Sequence, residues 1–321
     1  MLFGKIDIAR PLCLAPMEDV SDPPFRRLCK DYGADVLYTE FVSCEAAIRN
    51  VKSEIAKFDI TEYERPIGIQ LYGSNPDSME RAAALAEAAG APDFIDVNCG
   101  CWVRKIAGRG DGAGLLRDLN RLRGAVAAVQ RGTSLPVTVK TRLGWDDGSI
   151  VILELAPMLA DMGIQSLTVH CRTRAQGYSG KADWTWLPRI KEAAPSLPLI
   201  ANGDICTPQD AEICFNLGCD GVMIGRAAME QPWVFRAMRH YMDYGELLPE
   251  PSLDERKEMC IAHLYAHVAF RGTPRGIYSF RRHYGGYLKG AAYVAQLRRD
   301  LMTLTDVEDI VERIRAFEDE R

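Results

Sequence analysis

A chain of 321 residues exceeds a usual single domain, and 47% hydrophobic with 26% charged side chains is the composition of a folded globular protein, which excludes extended disorder. A net charge of −5 argues against a uniformly basic nucleic-acid coat, so local charge has to be read segment by segment. No apolar run approaches the roughly 18 residues of a membrane span, the start MLFGKIDIARP lacks a signal-peptide core, and ten cysteines without a CxxC pair fit a cytoplasmic chain with no membrane and no metal better than a disulfide framework.

Eight short β-rich apolar runs follow one another: PLCLAPM from Pro11, ADVLYTEF from Ala34, PIGIQLYG from Pro66, FIDVNCG from Phe94, LPVTVKTRLG from Leu135, SLTVHCRT from Ser166, PLIANGDI from Pro198 and GVMIGRAA from Gly221. Between them lie helix-like stretches such as SMERAAALAEAAG, ILELAPMLADMG and PQDAEICFNLG, with Gly90, Gly163 and Gly218 expected as helix C-caps. Continuous apolar strands alternating with amphipathic helices imply a parallel sheet covered by helices, and eight units imply an α/β fold, a closed (β/α)8 TIM barrel.

Nearly every run ends on polar or special residues: Met17 and Glu18, Glu40, Gln70, Asn98 with Cys101, Lys140 with Arg142, His170 with Arg172, Asn202 with Asp204, and Gly225 with Arg226. Strand ends also turn polar simply on leaving a core. In a barrel, however, these ends converge on the face that carries active sites. Asn202-Gly203-Asp204 and Gly225-Arg226 fall in the seventh and eighth units, where barrels often bind phosphate. The run from Gly108 to Ala113 superficially fits G-x-G-x-x-A, but it follows its strand too late for a dinucleotide site.

After Trp233 the strands cease, and a proline-containing linker at Leu248 to Ser252 precedes helices with Ser252 or Asp254 as N-cap. The expected division is a barrel over 1–242 and an all-helical domain over 243–321. From Arg271 to Arg299 the chain carries Arg271, Arg275, Arg281, Arg282, Lys289, Arg298 and Arg299 without an acid, interleaved with Tyr278, Phe280, His283, Tyr284, Tyr287 and Tyr293. Basic charge with aromatic faces suits RNA. A solvated helix face over buried tyrosines would produce the same pattern.

Taken together, APMEDVSDPPFR from Ala15, TEF at Thr39, IQLYG at Ile69, DVNCGC at Asp96, KTRLGWDD at Lys140, VHCRTRAQGYSG at Val169, ANGDI at Ala201, GVMIGRAAMEQPW at Gly221 and FRRHYGGYLKG in the tail resemble the tRNA-dihydrouridine synthases. The resemblance implies an FMN-dependent enzyme that uses NADPH to reduce uridines in tRNA, with the helical domain helping to hold the RNA. It places Ala15, Pro16 and Met17 beside the flavin ring, Gln70 and Lys140 at its pyrimidine portion, and His170 nearby. It assigns Asn202, Gly203, Asp204, Gly225 and Arg226 to the phosphate end, and Asn98, Arg142 and Arg172 to the substrate. Arg281 and Arg282 would grip the tRNA, and Cys101 would be the proton donor. A monomer is expected.

The chemistry suits those roles. Conjugation with the C4 carbonyl makes C6 of uracil electrophilic, so hydride adds there and an acid must protonate C5. A thiol with an ordinary pKa of about 8.5 is protonated at pH 7 and still acidic enough to serve. Lys140 suits negative charge on the flavin. Trp102 stands where the family carries proline, which would stiffen the loop. Strand alternation turns Cys99 away from Asn98 and into the core. Two other readings remain: an FMN barrel reductase of a free pyrimidine or small enone, and an RNA-binding homologue impaired by Trp102.

Overall fold

The computed structural model describes residues 1–290 and 293–318; residues 291, 292 and 319–321, which belong to the expected helical domain, lie outside the described residues. Eight parallel strands form the barrel: β1 (Leu12–Leu14), β2 (Leu37–Tyr38), β3 (Ile67–Tyr72), β4 (Phe94–Cys99), β5 (Val137–Arg142), β6 (Ser166–His170), β7 (Leu199–Asn202) and β8 (Gly221–Ile224). Their order in the sheet follows the chain, and β8 pairs with β1 through Val222 opposite Leu12. The last seam, between β1 and β2, is short: a Cys13–Val36 bridge and a 2.9 Å bond from Leu14 N–H to Val36 C=O. One-residue register steps from strand to strand set the polar strand ends side by side, as with Asn98 opposite Lys140 and Arg142 opposite His170.

Alternate strand residues fill the barrel interior with Cys13, Val36, Tyr38, Phe94, Ile200 and Met223. Phe94 fits only because its β3 neighbour is Gly68, whose added Cβ would lie 2.1 Å from the Phe94 ring. An amino-terminal hairpin, Leu2–Phe3 with Ile6–Asp7, inserts Phe3 beneath that ring at 5.7 Å; the sequence reading did not foresee it. The opposite strand faces pack on the surrounding helices in one large apolar cluster.

Gly163 and Gly218 end their helices with φ of +74° and +90°, as expected. Gly90 does not. It is the last residue of helix Pro76–Gly90, whose left-handed cap is Ala91 at φ 43°. Gly90 is small for a different reason, since a Cβ there would sit 2.7 Å from Phe58 C=O.

Helix Leu253–Arg271 starts at Ser252, whose side chain and Glu255 form a capping box. Around it a second apolar cluster gathers Cys260, Leu264, Phe280, Tyr284, Tyr287 and Leu297, with Trp233 contributed from before the linker. Asp22 joins this unit to the barrel. One of its carboxylate oxygens caps helix Pro23–Asp31 at Phe25 N–H, while the other lies 3.0 Å from Arg271 and 3.2 Å from His267. No helix among the described residues is long and apolar enough to cross a membrane.

Candidate active site

At the end of β4, Asn98 is 7% exposed, and its carbonyl accepts from Gly100 N–H at 3.0 Å and Cys101 N–H at 2.9 Å. The side chain therefore folds the first turn of the loop around itself and fixes where Cys101 begins. On the far side, Ala113 N–H donates 3.1 Å to Cys101 C=O, and Gly112 lies so close that a Cβ would come within 2.9 Å of the Cys101 Cβ. Burial raises the Cys101 thiol, opposed by Val103 N–H and the Arg142 charge, so the group stays protonated at neutral pH. Cys99 points the other way and is fully buried, and burial pushes its thiol far up.

Asn98 is itself held from below. Its amide donates 2.8 Å to Gln70 Oε1, Gln70 Nε2 donates 2.6 Å to Asp96, and Thr138 Oγ donates to the other Asp96 oxygen. This relay runs through fully buried groups and fixes the Gln70 amide with its oxygen toward Asn98. Burial raises Asp96 to about 6 against the hydrogen bonds from Gln70 and Thr138. Sequence reasoning passed over Asp96 as part of an apolar strand. The available signal was an acid in the middle of FIDVN, a place where a carboxylate needs a partner.

Across the mouth, Lys140 Nζ lies 3.0 Å from Asn202 Oδ1, and Asn202 donates 2.7 Å to Met223 C=O. Burial, then the nearby Arg142 charge, lowers Lys140 to about 8. His170 is driven well below its ordinary value by burial and by the cations of Arg142, Lys140, Arg172 and Arg226. Arg172 Nη1 stands 3.2 Å from His170 Nε2 and can only donate, so the imidazole is neutral with its proton on Nδ1.

Four cations thus share one mouth, and Asp204 is paired with two of them, 2.5 Å from Arg172 and 2.9 Å from Arg226. Arg226 also lies over the Tyr178 ring at 4.5 Å. Gly203 is required twice over, by φ of +105° and by His170, whose ring a Cβ would meet at 2.6 Å. Gly225, just before the short helix Arg226–Glu230, is not crowded: a Cβ would make ordinary contact with Ala15 and Met17 at 3.6 Å. Ala15 is buried and bonded to Ile224 C=O at 2.9 Å, while Pro16 and Met17 are half-buried beside it. Anionic ligands fit this arrangement: an uncrowded backbone at Gly225, and a surplus of positive charge on one wall.

Two residues expected at the substrate are heavily engaged with backbone. Arg142 donates to Gly100 C=O at 3.0 Å and to Thr173 and Gly177 C=O at 2.9 Å each, tying the Cys101 loop to the loop after β6. Arg172 is 2% exposed and donates 2.7 Å to Gly180 C=O as well as to Asp204.

For most of its rings the tail follows the second of the two readings its sequence allowed, a helix face over buried tyrosines. Phe280, His283, Tyr284 and Tyr287 are core residues, leaving Tyr278 and Tyr293 exposed. Arg281 reaches Leu304 C=O at 3.4 Å, Arg282 donates 3.0 Å to Asp19 C=O, and Lys289 pairs with Glu230 at 2.8 Å. By contrast, Arg104, Lys105 and Arg109 are exposed on the Cys101 loop. No group of three His, Cys, Asp or Glu that could hold a metal occurs among the described residues.

Comparison with known proteins agrees with this geometry. Residues 13–320 match the family described as Dihydrouridine synthase (Dus). A Pseudomonas putida protein named tRNA-dihydrouridine synthase B is 38% identical over 321 residues, covering 99% of this chain and 94% of that protein. A Synechocystis protein named probable tRNA-dihydrouridine synthase 1 is 38% identical over 309 residues, covering 96% and 86%. Among solved structures, a morphinone reductase variant in complex with tetrahydroNAD shares the barrel at a TM-score of 0.56 and 12% identity, covering 78% of this chain and 91% of that one. DHODH from Eimeria tenella with ferulenol does so at 0.53 and 14%, covering 79% and 83%. With the match spanning both the barrel mouth and the helical tail, the chain belongs to the dihydrouridine synthase family.

Proposed function

We propose that this protein reduces the C5=C6 bond of uridines in tRNA to 5,6-dihydrouridine, using FMN and NADPH in the cytoplasm and acting as a monomer. The observation that carries the reading is the geometry of Cys101 at the barrel mouth, its backbone bonded to the Asn98 side chain on one side and to Ala113 on the other. Beside it lies a cationic wall suited to a flavin phosphate. Ala15 to Met17 would form the shelf for the ring, Lys140 would meet its pyrimidine portion while Gln70 acts from behind through Asn98, and Gly203, Gly225 and Arg226 would take the phosphate. FMN, when bound, would supply to C6 of the uracil the hydride taken from NADPH.

Everything else is the work of the chain. Lys140, lowered to about 8 by burial, still carries its charge at neutral pH and would balance negative charge on the flavin. Cys101 gives its proton to C5 and regains it from solvent, so one hydride and one proton saturate the bond and NADPH becomes NADP⁺. Asn98 would orient the base, and Arg142 and Arg172, both tied to backbone carbonyls, hold the loops that flank it. The helical domain, residues 243–321, would orient the RNA over residues 1–242. Unstacking a uridine costs a few kcal/mol, which contacts elsewhere on the tRNA must offset.

The purified protein should release FMN on denaturation and form dihydrouridine in tRNA from a strain lacking the gene. Release of FAD would overturn the cofactor assignment. Reduction of free uracil but not tRNA would overturn the substrate.

A further inference from the structure

The residue after the thiol is Trp102, and its surroundings give it a role. Trp102 is 38% exposed, yet one face of its indole lies on Gly177, where a Cβ would stand 3.1 Å from the ring. Gly177 has φ of +56°, so the backbone presents a flat, bare surface there. The Trp102 edge also meets Tyr178 at 5.5 Å and 76°, the T-shaped arrangement that aromatic quadrupoles favour. Tyr178 in turn carries Arg226 on its ring at 4.5 Å.

We propose that Trp102 is a positioning residue that staples the Cys101 loop to the loop of residues 173–180, holding the thiol against the barrel mouth. The inference rests on the assignment of Cys101 as the proton donor. Arg142 makes the polar half of the same junction, through Gly100, Thr173 and Gly177 carbonyls, and Trp102 makes the apolar half. A proline would stiffen this loop internally through its fixed φ. Here the stiffness comes from outside, from contact with a neighbouring loop, and it therefore depends on Tyr178 and Gly177. An externally held loop opens as a unit when the contact is lost.

The test is alkylation of the full-length protein by iodoacetamide, read peptide by peptide, and it needs neither flavin nor RNA. Cys206 is exposed and serves as the internal reference, Cys101 is half-buried, and the other eight cysteines are buried and report unfolding. Trp102→Ala should speed labelling of Cys101 by about tenfold, the factor an aromatic pair of ordinary strength holds closed. Cys206 should be unaffected, and Trp102→Phe should return Cys101 to within about twofold of the original rate. Tyr178→Leu should speed Cys101 labelling too, and the double variant should add little, because both changes break one contact. In tRNA turnover, Trp102→Ala should lower kcat with little change in KM.

Unchanged Cys101 labelling in Trp102→Ala would overturn the proposal, as would simple multiplication of the two effects in the double variant. If Trp102→Ala exposed the buried cysteines, Tyr178→Leu would decide, with faster labelling of Cys101 supporting the staple and an unchanged rate overturning it. A wild-type protein that formed no dihydrouridine would instead defeat the functional reading, while the labelling result would stand by itself.

Discussion

Replacing Asp204 with asparagine removes the negative charge that two arginines share at the barrel mouth. The backbone is no obstacle, because Asp204 sits at φ of +57° and asparagine tolerates that left-handed region as readily. The Arg226 pair is half exposed and contributes at most about 1 kcal/mol. The Arg172 pair is different, because that guanidinium is 2% exposed; breaking a buried pair costs about 3–5 kcal/mol. That figure has to be reduced, since Asp204 is itself 30% exposed and Arg172 keeps its bond to Gly180 C=O. The expected loss is about 2–3 kcal/mol. In a protein of this size it lowers Tm by about 3–5 °C. Burial alone would raise the Asp204 carboxyl, but the hydrogen bonds from Arg172 and Ala182 N–H, with the Arg172 and Arg226 charges, hold it below 3.8. A carboxylate depressed in the fold stabilises above its unfolded pKa and loses that contribution as pH falls through the folded value. The gap between variant and wild type should be full at pH 7 and close only below about pH 4. Urea unfolding of the apoprotein at several pH values measures it. The same charge removal should tighten binding of inorganic phosphate, by up to about tenfold. Equal stability of the two proteins at pH 7, or weaker phosphate binding by the variant, would refute the argument.

Cys101→Ser should retain flavin and tRNA but lose most reoxidation by tRNA, whereas Cys99→Ser, altering a buried thiol, should leave turnover nearly intact; rapid-mixing absorbance separates the two. Asp96, raised from 3.8 to about 6 by burial, makes the fold less stable as pH rises through that interval, on the order of 3 kcal/mol in total. Asp96→Asn should abolish that slope between pH 4 and 6 in denaturant titrations, and persistence of the slope would sink the assignment. For RNA, replacing Arg104, Lys105 and Arg109 with alanine should reduce the salt slope of tRNA binding by roughly 2. The same treatment of Arg281, Arg282 and Lys289 should reduce it less, because Arg282 and Lys289 already face Asp19 and Glu230. Equal slopes for the two triple variants would return the tail to the role its composition suggested.

What could be read from the chain alone was whatever has a local signature. Eight apolar runs punctuated by helices specify the barrel, since strand and helix periods are written into neighbouring residues. The barrel rule then carries Asn98, Cys101, Lys140, His170 and Asn202 to one mouth without knowledge of a single contact. Tertiary structure decided the rest, because it depended on partners distant in sequence. Asp96 gained its role only when the pairing of two neighbouring strands set Gln70, 26 residues away, on its carboxylate. Whether an arginine meets RNA depends on which acid folds beside it, and for Arg282 that neighbour is Asp19, 263 residues earlier. Tyr284 and Tyr287 could have been stacking surfaces or core by their sequence, and packing made them core, because a helical unit this small must bury its large rings to fold. Composition fixes how much charge and apolar surface a segment carries, and packing determines which of it still faces water.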